Sequence, residues 1–306
     1  MNHTTPYVKT GSLRAWILAS RPKTLAVSAA PVLVGTASAW ADAALLSGDT
    51  APRLQGLPAL LCLLFALIMQ IDANFINDYY DFMHGIDNET RLGPERACAR
   101  GWITPVSMRR AIGFTTLAAC MTGLPLILYG GLELLIVGMA CVVFCFLYTT
   151  TLARRGMGDL LVVAFFGVVP VSVTYYILTH HFTPGVLLLS VACGLVVDTL
   201  LVVNNYRDRY TDRDAGKNTL VVRIGASWTE RLYLSLGLAG VLLCLSQLVA
   251  GRTAAALLPA LYLIPHLAAW RKMKAIGHGR ELNGLLGESS RNILLFALLL
   301  SLGLIL

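Results

Sequence analysis

An all-α integral membrane protein is the fold class this sequence predicts, with about nine transmembrane helices in a bundle around a central apolar chamber. Three observations predict it. Of the 306 residues, 56% are hydrophobic and only 13% charged, whereas charged residues make up about a quarter of a soluble domain. The apolar residues gather into nine segments, roughly 22–41, 57–80, 111–128, 132–151, 158–178, 184–205, 229–250, 253–270 and 290–306, most of them close to the ~20 residues that cross a bilayer as a helix. All but two of the 24 Lys and Arg residues fall in alternate connections, counted from the N-terminus, and the opposite connections keep only Arg53 and Arg252. By the positive-inside rule the N-terminus is cytoplasmic and the C-terminus lies outside.

The stretch before the first segment carries Lys9 and Arg14 and no cleavable pattern, so the first span is expected to remain in the mature chain. Arg21-Pro22-Lys23-Thr24 opens that span, with Pro suited to a first helical turn and two cations suited to the membrane surface. Pro31 and Gly35 predict a kink or close packing inside it. After the second segment comes a cytoplasmic loop of about 25 residues, long enough to suggest function. It holds Arg91, Arg96, Arg100 and Trp102, and Gly85, Gly93, Pro94 and Gly101 predict ordered turns, as in a lid or binding loop.

Tyr148 and Asp159, the latter in Gly156-Met157-Gly158-Asp159, fall at the same membrane level as this loop. An interface aromatic and a helix N-cap are their simplest readings. The last three segments read as scaffold, and Asn283 to Asn292 as a polar approach without assignable chemistry. The seven cysteines form no CxxC pair and read as small apolar residues. His180-His181 lacks the spaced partners of a zinc site. The net charge of +7 suits an anionic lipid surface, so membrane lipid is an expected partner and nucleic acid is not.

The second segment ends in Asn77-Asp78-Tyr79-Tyr80-Asp81 and continues through Gly85-Ile86-Asp87 to Arg91-Leu92-Gly93-Pro94. On a helix Asn77 and Asp81 are i, i+4 and Asp78 and Asp81 are i, i+3, so these side chains share one face. The sixth segment ends in the same way, with Asn204-Asn205-Tyr206-Arg207-Asp208 running on to Asp212, Asp214, Gly216 and Lys217. Arg223-Ile224-Gly225 then echoes Arg91-Leu92-Gly93. A duplicated helical unit follows, about 15–151 and about 152–275 with a final helix at 290–306, all in a single membrane domain.

Acids at the mouth of an apolar bundle suit a hard divalent cation. Mg2+ takes oxygen ligands and binds through one or two carboxylates plus substrate phosphates. Asp78, Asp81, Asp87, Asp208 and Asp212 are five negative charges; a diphosphate ester adds about three more and two Mg2+ return about four positive, which leaves a remainder for nearby Arg and Lys. A long isoprenoid diphosphate fits such a site, its tail in the bundle and its head at the mouth. Metal coordination makes diphosphate a better leaving group. Exclusion of water protects the allylic cation until an electron-rich ring captures it.

In these motifs the chain resembles the UbiA superfamily of intramembrane prenyltransferases. Arg21-Pro22-Lys23-Thr24-Leu25, the two Asp motifs, Arg91-Leu92-Gly93-Pro94, Gly156-Met157-Gly158-Asp159 and Gly216-Lys217-Asn218-Thr219-Leu220 are similar to its menaquinone branch. So is the placing of Asp87 six residues after Asp81. The resemblance implies transfer of a polyprenyl group from polyprenyl diphosphate to 1,4-dihydroxy-2-naphthoate, with loss of CO2 and diphosphate. It implies that Asp78, Asp81, Asp208 and Asp212 are the catalytic acids, and that Asp78, Asp81, Asp87, Asn204, Asp208 and Asp212 hold Mg2+. Lys23, Asn77, Arg91, Asn204 and Lys217 are then the diphosphate-binding residues. The implied location is the bacterial plasma (inner) membrane, with the active site facing the cytoplasm.

Asp72 and Asp198 lie outside this pattern, each deep in an apolar run at nearly equivalent repeat positions. Acids at such depth cost about 2.5–3.5 kcal/mol each. They are expected to face the chamber or each other, or to meet a polar helix partner. With Tyr148 they are candidates for acceptor contact or for a base. Other aromatic acceptors, such as 4-hydroxybenzoate or homogentisate, fit the same acids. A cation-coupled transporter is the competing class, but the acid clusters lie at one membrane face, whereas transporter sites lie near the midplane.

Overall fold

The structure is a computed structural model and describes residues 8–45, 56–85 and 91–306. Among these, nine helices are long and apolar enough to cross a membrane: Pro22–Ala43, Gly56–Met83, Pro105–Gly130, Glu133–Arg155, Gly158–Thr179, Pro184–Asp214, Leu220–Ala250, Thr253–Ile276 and Leu282–Ile305, here spans 1 to 9. No strand occurs among the described residues. Helix is the form that lets a lipid-embedded backbone satisfy its own polar groups.

Spans 3, 7 and 9 begin earlier than hydropathy places them, at Pro105, Leu220 and Leu282 rather than near 111, 229 and 290. Hydropathy marks only the length buried in lipid, whereas capping sets where spans 3 and 7 start. Thr104 accepts a hydrogen bond from the Ser107 amide at 3.2 Å and Thr219 from the Val222 amide at 3.3 Å. Thr183 caps span 6 in the same way, through the Val186 amide at 3.2 Å. Each threonine satisfies an amide that the first turn leaves open. Ahead of span 1 a short surface helix, Leu13–Ser20, which hydropathy does not announce, packs through Trp16 against Phe75 of span 2, ring centres 5.6 Å apart.

Spans 1, 5, 6 and 9 form the main core, where Val27, Val34, Val171, Leu189, Val196, Phe296 and Leu300 are buried together. Close approach of spans 1 and 5 depends on Gly35, where an added Cβ would lie 2.6 Å from the Val171 carbonyl oxygen. Span 4 has no fully buried residue over Glu133–Leu147, because one side lines a cavity and the other faces outward. Its inner end changes winding: Tyr148–Leu152 is a π-helical turn, and Ala164–Val168 in span 5 is a second.

At one end of the bundle the connections are bonded to one another. The Gly11 amide donates to the Trp102 carbonyl at 2.8 Å, the Asn218 amide to the Arg154 carbonyl at 2.9 Å, and Asn283 Nδ2 to the Leu92 carbonyl at 2.8 Å. At the other end Asp42 accepts from both Tyr175 and Arg252, joining spans 1 and 5 to the turn before span 8.

Replacing Gly35 by Leu is expected to cost about 1–3 kcal/mol through overpacking, read as a lower thermal midpoint in detergent. Gly113→Leu, in span 3 where a Cβ meets nothing within 4 Å, is expected to leave the midpoint at or above that of the unaltered chain.

Candidate active site

The bonded end of the bundle is the mouth of a cavity of about 1400 Å³. Its walls come from spans 1 to 6 and the start of span 9, and below the mouth they are apolar, with Phe65, Met69, Val137, Phe165 and Val173 among them. Spans 7 and 8 contribute none of its lining, consistent with scaffold. Span 9 departs from that reading, because Asn283 lines the cavity and Asn283 Oδ1 accepts from Arg207 at 2.9 Å.

Both Asp motifs end at this mouth. Asn77 and Asp81 of span 2, and Asn204, Asp208 and Asp212 of span 6, line the one cavity together with Lys23, Arg91, Lys217 and Tyr148. Asp81, Asp208 and Asp212 each have a cation beside them, which offsets their desolvation. Arg96 Nη2 donates to Asp81 at 3.0 Å, Arg207 to both oxygens of Asp208, and Lys217 Nζ lies 3.5 Å from Asp212. Arg207 is 1% exposed and also donates to Asn204 at 2.8 Å. A buried pair of this kind is costly to break from one side, since the remaining charge is left without compensation.

Four side chains belong to the mouth that motif spacing alone does not single out. Arg96 comes from the loop after span 2, Asn283 from span 9, and Thr149 from span 4, donating to Asn77 at 2.6 Å. The fourth, Arg207, does carry a signal: it stands inside the second motif where the first has Tyr80. A cation set among acids points to an internal ion pair.

Three expected site residues lie elsewhere. Asp72 is fully buried but turned from the cavity toward span 3, where Thr115 and Thr116 donate to it, the latter at 2.8 Å. Of the alternatives expected for Asp72, a place facing the chamber or Asp198 is not what it takes; it meets polar helix partners. Asp198 is 2% exposed and lies behind the cavity wall rather than in it. Its Oδ1, like both oxygens of Asp159, is buried without a hydrogen-bond partner among the described residues. Asp78 is 1% exposed and is likewise absent from the lining, and its carboxylate is already engaged by backbone amides of the following loop. Asp87 lies outside the described residues.

Among the described residues, no three Asp, Glu, His or Cys side chains converge closely enough to hold a metal ion unaided. The mouth instead offers carboxylate and amide oxygens from two helices with cations between them, a donor set suited to a hard divalent ion shared with phosphate oxygens.

A charged mouth over an apolar shaft within a helical bundle defines the class: an integral membrane protein with an internal cavity whose polar end gathers acids and cations. The chain belongs to the UbiA prenyltransferase family, whose model matches residues 28–280. It is 38% identical over 242 residues to the 1,4-dihydroxy-2-naphthoate octaprenyltransferase of Escherichia coli K12, covering 76% of this chain and 75% of that one. It is 32% identical over 291 residues to the enzyme of the same name from Mycobacterium leprae, covering 94% and 95%. A UbiA homologue from Archaeoglobus fulgidus, solved bound to GPP and Mg2+, shares the fold with a TM-score of 0.66 at 17% identity, covering 95% of this chain and 99% of that one.

Arg207→Met is expected to destabilise the protein by about 3–5 kcal/mol, because Asp208 and Asn204 lose their shared partner in a site built around the guanidinium. Adding Asp208→Asn to the same chain is expected to recover a large part of that loss. Denaturant titration of the two single variants and the double variant measures the coupling.

Proposed function

We propose that this protein transfers a polyprenyl group from polyprenyl diphosphate to 1,4-dihydroxy-2-naphthoate, releasing diphosphate and CO2 and yielding demethylmenaquinone. The observation that carries this reading is the convergence of Asn77, Asp81, Asn204, Asp208 and Asp212 on one mouth above an apolar shaft, in a chain 32–38% identical to enzymes named for that acceptor. The site faces the cytoplasm of a bacterial plasma membrane, in keeping with the cations gathered on that side of the chain.

Asn77, Asp81, Asn204, Asp208 and Asp212, with Asp87 of the first motif, would hold Mg2+, which would supply the Lewis-acid charge that makes diphosphate a better leaving group. Lys23, Arg91 and Lys217 bind phosphate oxygens and take up the negative charge that grows as the C–O bond breaks. The electron pair of that bond goes to diphosphate. The shaft walls exclude water from the allylic carbon, and the Tyr148 ring on the cavity wall offers a π face to the cation. The acceptor carbon that bears the carboxylate forms the new C–C bond; the C–CO2 bond then breaks and its electrons restore the ring.

In a single turnover of purified protein with Mg2+, a polyprenyl diphosphate and 1,4-dihydroxy-2-naphthoate, mass spectrometry is expected to find a product heavier by the prenyl group and lighter by CO2. Product from 4-hydroxybenzoate or homogentisate but none from the naphthoate overturns the acceptor and keeps the acid chemistry. Asp208→Asn is expected to lower turnover by at least about 10²-fold, the size of effect seen when one stabilising group is lost from a preorganised site.

Chelation of divalent ions with EDTA is expected to abolish turnover, and readdition of Mg2+ to restore it. Turnover that persists in EDTA sinks the metal-dependent reading.

A further inference from the structure

Asp78 and Asp81 are one helical turn apart on span 2, and both are bonded to the same short segment, in different ways. Asp81 accepts from the side chain of Arg96. Asp78 accepts from the backbone: its Oδ2 takes the Ala97 amide at 2.8 Å and its Oδ1 the Cys98 amide at 2.9 Å. The segment closes on itself as a tight turn, with the Arg100 amide on the Arg96 carbonyl at 3.0 Å and the Trp102 amide on the Ala97 carbonyl at 2.9 Å. Amides of a buried turn need acceptors, and a carboxylate taking two in succession is a strong one.

From this turn the chain runs back as a strap across the mouth. Its far end, residues 91–94, is held by the second half of the molecule. Asn283 donates to the Leu92 carbonyl at 2.8 Å and Arg280 to the Arg91 carbonyl at 3.3 Å. Gly93 lies so close to the Arg207 guanidinium that an added Cβ would come within 2.8 Å of Nη2. Four strap residues line the cavity, Arg91, Leu92, Pro94 and Arg96, two of them cationic, and Asp78 does not. The second motif has Asn205 at the position matching Asp78, so an acid there is not common to both copies.

We propose that Asp78 is a positioning residue rather than a cation ligand: it fixes the 91–103 strap so that Arg91 and Arg96 face the diphosphate of the substrate across the mouth. This rests on the prenyl diphosphate reading above. It assigns to neighbouring acids of one motif two separate tasks, Asp81 toward the cavity and Asp78 toward the loop that covers it.

The test compares Asp78→Asn, Asp78→Glu and Asp81→Asn in the full chain in detergent, by three readouts. Hydrogen exchange is expected to speed up about tenfold or more at amides 96–103 in Asp78→Asn, as a charge-assisted acceptor is replaced by a poorer one. Geranyl diphosphate binding with saturating Mg2+, measured by calorimetry, is expected to weaken about tenfold through loss of the aligned arginines. The Mg2+ concentration for half-maximal binding of geranyl diphosphate is expected to stay within about twofold in Asp78→Asn and to rise about 10–100-fold in Asp81→Asn. Asp78→Glu, which keeps the charge but not the reach, is expected to recover part of the exchange protection.

An Mg2+ midpoint in Asp78→Asn shifted as far as in Asp81→Asn, with strap exchange unchanged, overturns the proposal. Geranyl diphosphate binding and amide exchange are read without any acceptor, so a wrong acceptor leaves this test intact. Failure of the unaltered chain to bind geranyl diphosphate at all would instead overturn the underlying prenyl diphosphate reading.

Discussion

The molecule is organised around one electrostatic constraint, the need to keep several carboxylates at the ends of apolar helices without a ruinous desolvation cost. Three acids lining the mouth are each met by a cation: Asp81 by Arg96 of the loop after span 2, Asp208 by Arg207 of its own helix, and Asp212 by Lys217 of the turn after span 6. Two of these cations stand outside the helix that carries the acid, so neutralising the acids also draws the connections onto the mouth. Arg207 extends the assembly to span 9 through Asn283, which explains why a helix otherwise devoted to packing reaches the site.

The same constraint separates the acids by role. Asp72 is compensated in part where it stands, because Thr115 and Thr116 bring two hydroxyls to it, a polar contact between spans 2 and 3 away from the cavity. Asp159 and Asp198 are the contrary case, with buried oxygens that no donor reaches among the described residues. The other acids near the mouth divide into those that face the cavity, those that tie helices together, and one, Asp78, that holds backbone.

Much of this was legible in the sequence. Nine apolar runs and the one-sided distribution of Lys and Arg specify the bundle, since length and charge are all that lipid reads. The repeated Asn and Asp spacing specifies which ends of which helices meet. The division of labour between Asp78 and Asp81 was not legible. Three residues on an α-helix leave two side chains about 60° apart, enough for one to face a cavity and the other a loop. Which does which depends on where the loop lies, and Ala97 and Cys98 take part only through their amides, which leave no mark in side-chain pattern. Arg96 and Asn283 are hidden for a related reason, because their roles exist only once distant segments have docked.

The π-helical turn at Tyr148–Leu152 carries a consequence of its own. A π-turn takes up one residue more than an α-turn while the helix on either side keeps its course, so the number of residues in span 4 is uncoupled from the thickness it must cross. Removing one residue there would wind the turn back to α and leave the helix on either side close to its present bearing, because the longer turn and the shorter one sweep nearly the same angle. The change would fall on the side chains inside the turn, Thr149, now bonded to Asn77, and Tyr148 on the cavity wall. The bulge thus acts as a vernier that sets the heading of those two side chains without disturbing the rest of the span.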